Sequence, residues 1–185
     1  MAKKKSKANM TKLILGIIVI ALAVLTICTL FMPVFTSTLK TALTTSSSSV
    51  KGTDVITACF NGEVSSDFTS GANSLISLKN SDDASFVTTV FCWTYFITVL
   101  VSAAVVVFAV LSMVGLNFKL TNTILGACLV LLALLAMIFG FVTAGKFGSL
   151  DWGSLAQAKT TASAAVWLML AAMGTGGLNV YKARQ

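Results

Sequence analysis

No histidine occurs in this 185-residue chain, and only six of its side chains are acidic. Every acidic residue falls between long hydrophobic runs, and none falls within one: Asp54, Glu63, Asp67, Asp82, Asp83 and Asp151. The lack of histidine excludes His-based metal sites and most familiar acid/base chemistry. The lack of carboxylates within the runs removes groups that proton-coupled transporters commonly use. We therefore predict that the protein is not an enzyme and has no catalytic residues, no metal site and no cofactor.

Charge of either sign is scarce. Charged residues make up 10% of the chain and hydrophobic residues 56%, with a mean hydropathy of +0.92, whereas soluble domains carry about 25% charged residues. The net charge of +7 could indicate nucleic-acid binding, but five lysines directly precede a hydrophobic run: Lys3, Lys4, Lys5, Lys7 and Lys12. Basic residues beside a membrane helix set its orientation and contact anionic lipid. We therefore predict the lipid bilayer as a partner, with anionic lipid at this amino tail, and no nucleic acid.

Four hydrophobic runs account for most of the chain. A helix crosses the roughly 30 Å hydrocarbon core of a bilayer in about 20 residues. The runs therefore predict four transmembrane helices, at residues 13–32, 86–116, 120–143 and 162–180. Between residues 86 and 145 the only charged side chain is Lys119, which marks the tip of a helical hairpin. The first run could instead be a cleaved signal peptide, but signal cores span about 7–15 residues and this run is longer, so we expect it to be retained.

The segments outside these runs indicate the orientation. They are a basic tail at residues 1–12, a long loop at 33–85, a short loop at 144–161 and a tail at 181–185. Lysine and arginine concentrate in the two tails and at the hairpin tip, so the positive-inside rule predicts that both termini are cytoplasmic. The predicted fold is an all-α membrane protein: a four-transmembrane-helix bundle with a small extracellular antiparallel β element between helices 1 and 2.

The β element is expected in the long loop. Residues 36–49, rich in Ser and Thr, predict a flexible or extended stretch. Residues 53–60 and 63–68 have strand-like composition and flank Asn-Gly, the strongest short signal for a β-hairpin. A hairpin fixes strand register and presents its side chains at defined positions, so we predict an interaction site there. Its centre comprises Asp54, Phe60, Asn61, Gly62 and Glu63. The alternative is that Phe60 and Ile56 cover the membrane-facing side of the sheet.

Two patterns within the helices bear on function. Ala136, Gly140 and Ala144 recur every four residues and predict a face of small side chains for close helix packing. Thr94, Thr98 and Ser102 share a helix face and, with Ser112, could line a path for a solute. In lipid the same hydroxyls can bond neighbouring helices or their own backbone carbonyls. We therefore favour a structural or interaction protein that acts through its outer loop over the alternative, a small channel or transporter subunit.

The four cysteines do not indicate a disulfide framework. They contain no C-x-x-C pair, and Cys59 is the only one in the long loop. A disulfide would require Cys92, in the second predicted helix, to come within reach of Cys59. We do not expect this pairing.

The order of a short tail, one helix, a long loop with strand character and three further helices resembles the claudin-like tetraspan architecture. The resemblance is one of topology, because the loop has no tryptophan and a single cysteine where claudins carry a Trp, a Gly-Leu-Trp and two cysteines. Lys51 to Ile56 is also similar to a segment of uncharacterised four-helix membrane proteins of Gram-positive bacteria. This second resemblance implies a location, the plasma membrane of a bacterium. As partners of the predicted interaction site we expect a second copy of the chain or another membrane protein.

Overall fold

The computed structural model describes residues 2–41, 44–61, 71–116, 118–147, 149–151 and 156–184. Within these ranges the chain forms seven α-helices and four strands, with one 3-10 turn at Thr29–Phe31. In chain order they are α1 (Ala2–Cys28), β1 (Pro33–Thr41), β2 (Thr45–Lys51), α2 (Gly52–Phe60), α3 (Gly71–Lys79), α4 (Ser85–Met113), α5 (Lys119–Lys146), β3 (Ser149–Asp151), β4 (Ala156–Ala162), α6 (Ala164–Trp167) and α7 (Met169–Arg184).

The prediction of four long apolar helices is confirmed. The helical segments that are long and apolar enough to cross a membrane are Met10–Phe31, Ser85–Met113, Lys119–Lys146 and Ala164–Arg184. Their ends differ from the predicted ones by a few residues. The fourth begins at Ala164 because Ala162 still belongs to β4, and α1 begins within the basic tail, at Ala2.

A small antiparallel sheet is present, but it draws on more of the chain than the sequence predicts. Its strand order is β2-β1-β4-β3. Ser37 of β1 lies opposite Ser48 of β2 on one side and Thr160 of β4 on the other, and Leu150 of β3 lies opposite Ala158. The strands β1 and β2 come from the loop between the first two long helices, as expected. The strands β3 and β4 come from the segment at 144–161, for which the prediction is a short loop without strands.

The predicted hairpin at residues 53–68 is wrong in its first strand. Residues 53–60 form most of α2, and the helical spacing buries Val55, Ala58 and Cys59 on one face while Thr53 and Thr57 are exposed on another. Burial at positions i, i+3 and i+4 is the helical pattern. The second predicted strand, with Gly62 and Glu63, lies outside the described residues.

The chain divides into two compact units. The helical unit comprises Met1–Ile27, Ile97–Leu134 and Met169–Gln185, and therefore contains one part of each long helix. Its core includes Val19, Val105 and Leu129. Two glycines give a close helix contact in this unit: a Cβ on Gly126 of α5 would lie 2.7 Å from the carbonyl oxygen of Gly176 in α7.

The sheet unit comprises Cys28–Phe96 and Leu135–Leu168 and contains the four strands, α2, α3 and α6. Aromatic side chains fill its core. The ring of Phe35, on β1, lies 5.3 Å from the ring of Phe91 and 5.5 Å from that of Phe147, measured between centroids. Phe91 in turn contacts Tyr95, and both are almost fully buried. These rings pack the central strand of the sheet against the first turns of α4.

Candidate interaction site

Asp54 stabilises the start of α2. Its Oδ2 accepts a hydrogen bond of 2.8 Å from the backbone N–H of Lys51, the residue that caps the helix. A carboxylate at this position offsets the partial positive charge of the helix N-terminus. A Cβ on Gly71, the first residue of α3, would lie 2.6 Å from the same Oδ2. The carboxylate therefore lies against the starts of two helices, and its role in the described contacts is structural.

Gly52 allows α2 to begin directly against the end of the first long helix. Its N–H donates to the carbonyl oxygen of Met32 at 3.2 Å. A Cβ on Gly52 would lie 2.6 Å from the carbonyl oxygen of Thr29 and 2.7 Å from the Cα of Leu30. The hydroxyl of Tyr95 donates to Thr29 Oγ1 at 3.0 Å beside this contact. Only glycine fits here, which fixes the position of α2 and of the residues that follow it.

Phe60 ends α2 as an exposed aromatic that contacts two others. Its ring is 62% exposed and lies edge-on to Trp93 and Phe96 of α4, with centroids 5.6 and 5.2 Å away. Trp93 itself is 40% exposed. Edge-to-face pairs of this kind contribute about 0.5–1.5 kcal/mol beyond area burial. Phe60 therefore belongs to a partly exposed aromatic cluster (Phe60, Trp93 and Phe96), and does not lie in the core of the unit.

Lys79, which no sequence motif singles out, completes the other end of α2. Its ammonium donates to the carbonyl oxygens of Ala58 at 3.0 Å and of Asn61 at 3.3 Å. The last carbonyls of a helix lack intrahelical partners and carry partial negative charge. A lysine there donates hydrogen bonds to these carbonyls and offsets their charge. The backbone of Asn61 is thereby held, while its side chain is exposed. The signal in the sequence is weak, since a single lysine at the end of a short helix is common.

The structure places Cys59 and Cys92 beside each other as free thiols, with no disulfide between them. Both cysteines are free and buried, and their thiols are hydrogen-bonded to each other. This hydrogen bond is the largest effect on the pKa of the Cys59 thiol and lowers it; burial opposes the shift, and the charge of Lys79 assists it. A lowered pKa raises the thiolate fraction, which is the reactive form in disulfide chemistry. The thiols of Cys59 and Cys92 therefore lie within hydrogen-bond reach of each other.

The predicted packing face on α5 is only partly enclosed by bulky neighbours. Ala136, Gly140 and Ala144 are all buried. A Cβ added to Gly140 would lie 3.2 Å from side-chain atoms of Phe91 and Val166. The glycine therefore leaves room beside α5 for these two larger side chains. A closer approach of backbone to backbone occurs elsewhere, between Gly126 and Gly176, which the sequence pattern does not indicate.

The hydroxyl stripe on α4 bonds its own helix. Thr94 Oγ1 donates to the carbonyl oxygen of Val90 at 2.8 Å, and Ser102 Oγ donates to that of Thr98 at 2.8 Å. Ser112 Oγ does the same with Phe108 at 2.8 Å. These hydroxyl protons are therefore engaged by backbone carbonyls, the usual arrangement for Ser and Thr in apolar helices.

Among the described residues, no three Cys, Asp or Glu side chains come together as metal ligands. No protein family, curated protein or solved structure matches this chain. Its function must therefore be inferred from its own residues and their geometry.

Proposed function

We propose that this chain is an integral membrane protein that crosses the bilayer four times, through α1, α4, α5 and the α6–α7 segment. The support is that these helices remain largely uncovered by protein. In the most apolar window of each of the first three, only 28% of residues are buried, and in the fourth 39%. Large apolar side chains such as Leu131, Val107 and Leu170 are at least half exposed. Soluble monomers rarely expose apolar surface on this scale, whereas lipid covers it.

In this proposal both ends of the sequence face the cytoplasm and the sheet unit lies outside a bacterial plasma membrane. The support is the charge distribution, since the two tails and the hairpin tip carry eight of the thirteen basic residues and none of the six acids. The positive-inside rule assigns such segments to the cytoplasm. Single cysteines in a cysteine-free background test this orientation: Ser48→Cys should react with an impermeant maleimide in intact cells, and Arg184→Cys only after lysis. Labelling of position 184 in intact cells would contradict it.

The role we propose is structural, through protein contacts made by the sheet unit. One observation carries it: β2 is an edge strand, and Thr45 to Ser49 are all exposed. Within the described residues no strand pairs with its outer edge. An edge strand offers unpaired backbone groups to another chain, and proteins that avoid such pairing place Lys or Pro along the edge. The stretch from Thr45 to Ser49 contains neither. We propose an extended segment of a second copy, or of another membrane protein, as the partner.

Blocking the edge tests this role. Ser47→Lys places a charge on the exposed edge strand, and Gln157→Lys makes the same change on β4, where Gln157 pairs with Lys40 of β1 and with Asp151 of β3. A photo-crosslinking amino acid at Ser48 should capture a partner in cells. Ser47→Lys should reduce that crosslink several-fold, and Gln157→Lys should not. Equal loss with both variants, or no crosslink from Ser48, would refute pairing at the edge.

The alternative function, a small channel or transporter subunit, relies on the hydroxyl stripe of α4. The hydrogen bonds of Thr94, Ser102 and Ser112 to backbone carbonyls favour a packing role for that stripe. Flux measurements in reconstituted liposomes separate the two classes. A conductance abolished by Thr98→Val would favour the channel, and absence of flux together with a captured partner would favour the interaction role.

A further inference from the structure

The basic residues of the helical unit have no acidic side chain to neutralise them. All six acids of the chain belong to the sheet unit, and the helical unit holds eight lysine and arginine side chains. Ion pairs with Asp or Glu are therefore impossible within this unit. Where its cations converge in a partly buried place, no side chain of this unit can supply the counter-charge.

Such a convergence exists at a cavity of about 420 Å³. Lys12 of α1, Ser112 of α4 and Lys182 of α7 all line it. A second cavity of about 130 Å³ shares these three residues and adds Lys119 and Asn122 of α5. Lysines from three helices therefore line these two neighbouring cavities, with Lys12 and Lys182 at both and Lys119 at the smaller one. The larger volume lies within the range of about 300–1,000 Å³ that is usual for ligand pockets.

The Lys182 side chain supplies a buried ammonium to this region. Its Nζ is buried and has no hydrogen-bond partner within the described part of the chain. It reaches its position over Gly16 of α1, where an added Cβ would lie 3.0 Å from the Nζ. A buried ammonium without a counter-charge is costly, and in membrane proteins such groups pair with an opposite charge or mark a binding site. The glycine opposite shows how the helices make room for this side chain.

The other polar side chains at the two cavities are only partly satisfied. Ser112 Oγ donates to the carbonyl oxygen of Phe108 and accepts a hydrogen bond of 2.9 Å from Asn122 Nδ2. The serine and the asparagine thus satisfy part of each other's hydrogen-bonding capacity, the buried Asn122 Oδ1 has no partner among the described residues, and the lysines remain as donors. Leu13 and Met113, which also line the cavity, are 53% and 37% exposed. The site thus combines cationic donors with an adjacent apolar surface.

We propose that this cavity binds the phosphate group of an anionic phospholipid, with Lys12 and Lys182 as its two main cationic contacts and Lys119 beside them. The shared chemistry is a phosphate anion, and the apolar side chains at Leu13 and Met113 favour a lipid, whose acyl chain would cover them, over free phosphate. Basic pockets between transmembrane helices on the cytoplasmic side are typical headgroup sites. The inference rests on the proposed membrane location of these helices.

The test compares lipid retention by matched variants of the full chain. Protein in neutral detergent is mixed with phosphatidylglycerol or phosphatidylcholine, and bound lipid is counted by native mass spectrometry. We expect retained phosphatidylglycerol, with little phosphatidylcholine. Lys182→Gln and Lys12→Gln should each weaken retention by about five-fold or more, the effect of roughly one basic contact. Arg184→Gln is the control, because it removes the same charge from an exposed position of the same helix outside the cavity.

Three outcomes would overturn the proposal: equal retention of the two lipids, unchanged retention in both lysine variants, or a loss with Arg184→Gln as large as with Lys182→Gln. If Lys182→Gln does not fold, Lys12→Gln decides, because the Lys12 side chain is exposed. Inorganic phosphate titrated in the same detergent separates the sources. Competition with bound phosphatidylglycerol supports the headgroup site, whereas phosphate binding without lipid binding refutes the lipid. Maleimide labelling reports orientation without any lipid readout, so failure of the proposed topology is recognised separately.

Discussion

The contact between Gly126 and Gly176 should be the most sensitive packing point of the helical unit. A Cβ added to Gly126 would lie 2.7 Å from the Gly176 carbonyl oxygen and 3.2 Å from the Val180 nitrogen. A Cβ added to Gly176 would meet the Gly126 carbonyl oxygen and lie 3.1 Å from the Val130 nitrogen. These neighbours are backbone atoms, which cannot rotate away. Alanine at Gly126 must therefore move α5 and α7 apart by about 0.7 Å to reach an ordinary contact of 3.4 Å, and alanine at Gly176 must move them further.

Two opposing effects determine how much these alanine substitutions change the free energy of unfolding. Overfilling a packed contact costs about 1–3 kcal/mol. Replacing glycine by alanine within a helix contributes about 1 kcal/mol in the other direction. We therefore expect Gly176→Ala and Gly126→Ala each to lower the free energy of unfolding by up to about 2 kcal/mol. The double variant should cost less than the sum, because one separation of the helices relieves both clashes.

Gly177 supplies the control. It is the next residue of α7, it is exposed, and an added Cβ there would meet no described atom within 4 Å. Gly177→Ala should therefore be neutral or stabilising by up to about 1 kcal/mol. Unfolding by sodium dodecyl sulfate in mixed micelles, followed by tryptophan fluorescence, measures all four variants against the wild type. Gly176→Ala as stable as Gly177→Ala would refute the close approach of the two helices.

Three further predictions concern the sheet unit. Oxidation with copper phenanthroline should join Cys59 to Cys92, which closes a loop of about 33 residues and stabilises the protein by about 3–4 kcal/mol. Peptide mapping after denaturation detects this disulfide, and a mixture dominated by Cys128 adducts would contradict the prediction. Phe60→Ser should lower the free energy of unfolding by no more than about 1.5 kcal/mol, because Phe60 is mostly exposed and the variant loses chiefly the edge-to-face contacts. A loss of about 3 kcal/mol or more is usual for a buried Phe and would show that Phe60 belongs to the core. Asp54→Ala should cost about 1 kcal/mol through the lost capping hydrogen bond, and Asp54→Asn much less, in the same unfolding assay; equal losses would exclude capping.

The long helices could be predicted because their signal is local. Each is a run of apolar residues long enough by itself to cross a bilayer, and no distant contact is needed to define it. The hairpin prediction failed because residues 53–60 fit two periods. The two-residue period of a strand would place Asp54 and Ile56 on one face, whereas the helical period buries Val55, Ala58 and Cys59 together. Packing of that face, together with the Asp54 cap and the Gly52 contact, selects the helix over the Asn-Gly turn signal.

The pairing of β1 with β4 could not be predicted from local patterns. Its two strands come from different loops, and neither contains a motif that identifies the other. The same holds for the contacts that build the candidate sites. Cys59 meets Cys92, and Lys12 meets Lys182 at one cavity, only after the helices have packed. The sequence contains these residues without indicating that they are neighbours, because their proximity depends on helix rotation and crossing.

The central position of β1 has a consequence for biosynthesis. The hydroxyls of Ser37 and Thr160 are hydrogen-bonded although they lie 123 residues apart in the chain. At a translation rate of roughly 5–20 residues per second, β1 waits about 6–25 s for β4 to be made. During that interval β1 has β2 on one side and an open edge on the other, while the two intervening long helices are being synthesised. A ribosome that pauses within α5 prolongs this state, so rare-codon clusters in that region should increase misassembly of the nascent chain more than the same clusters placed before β1.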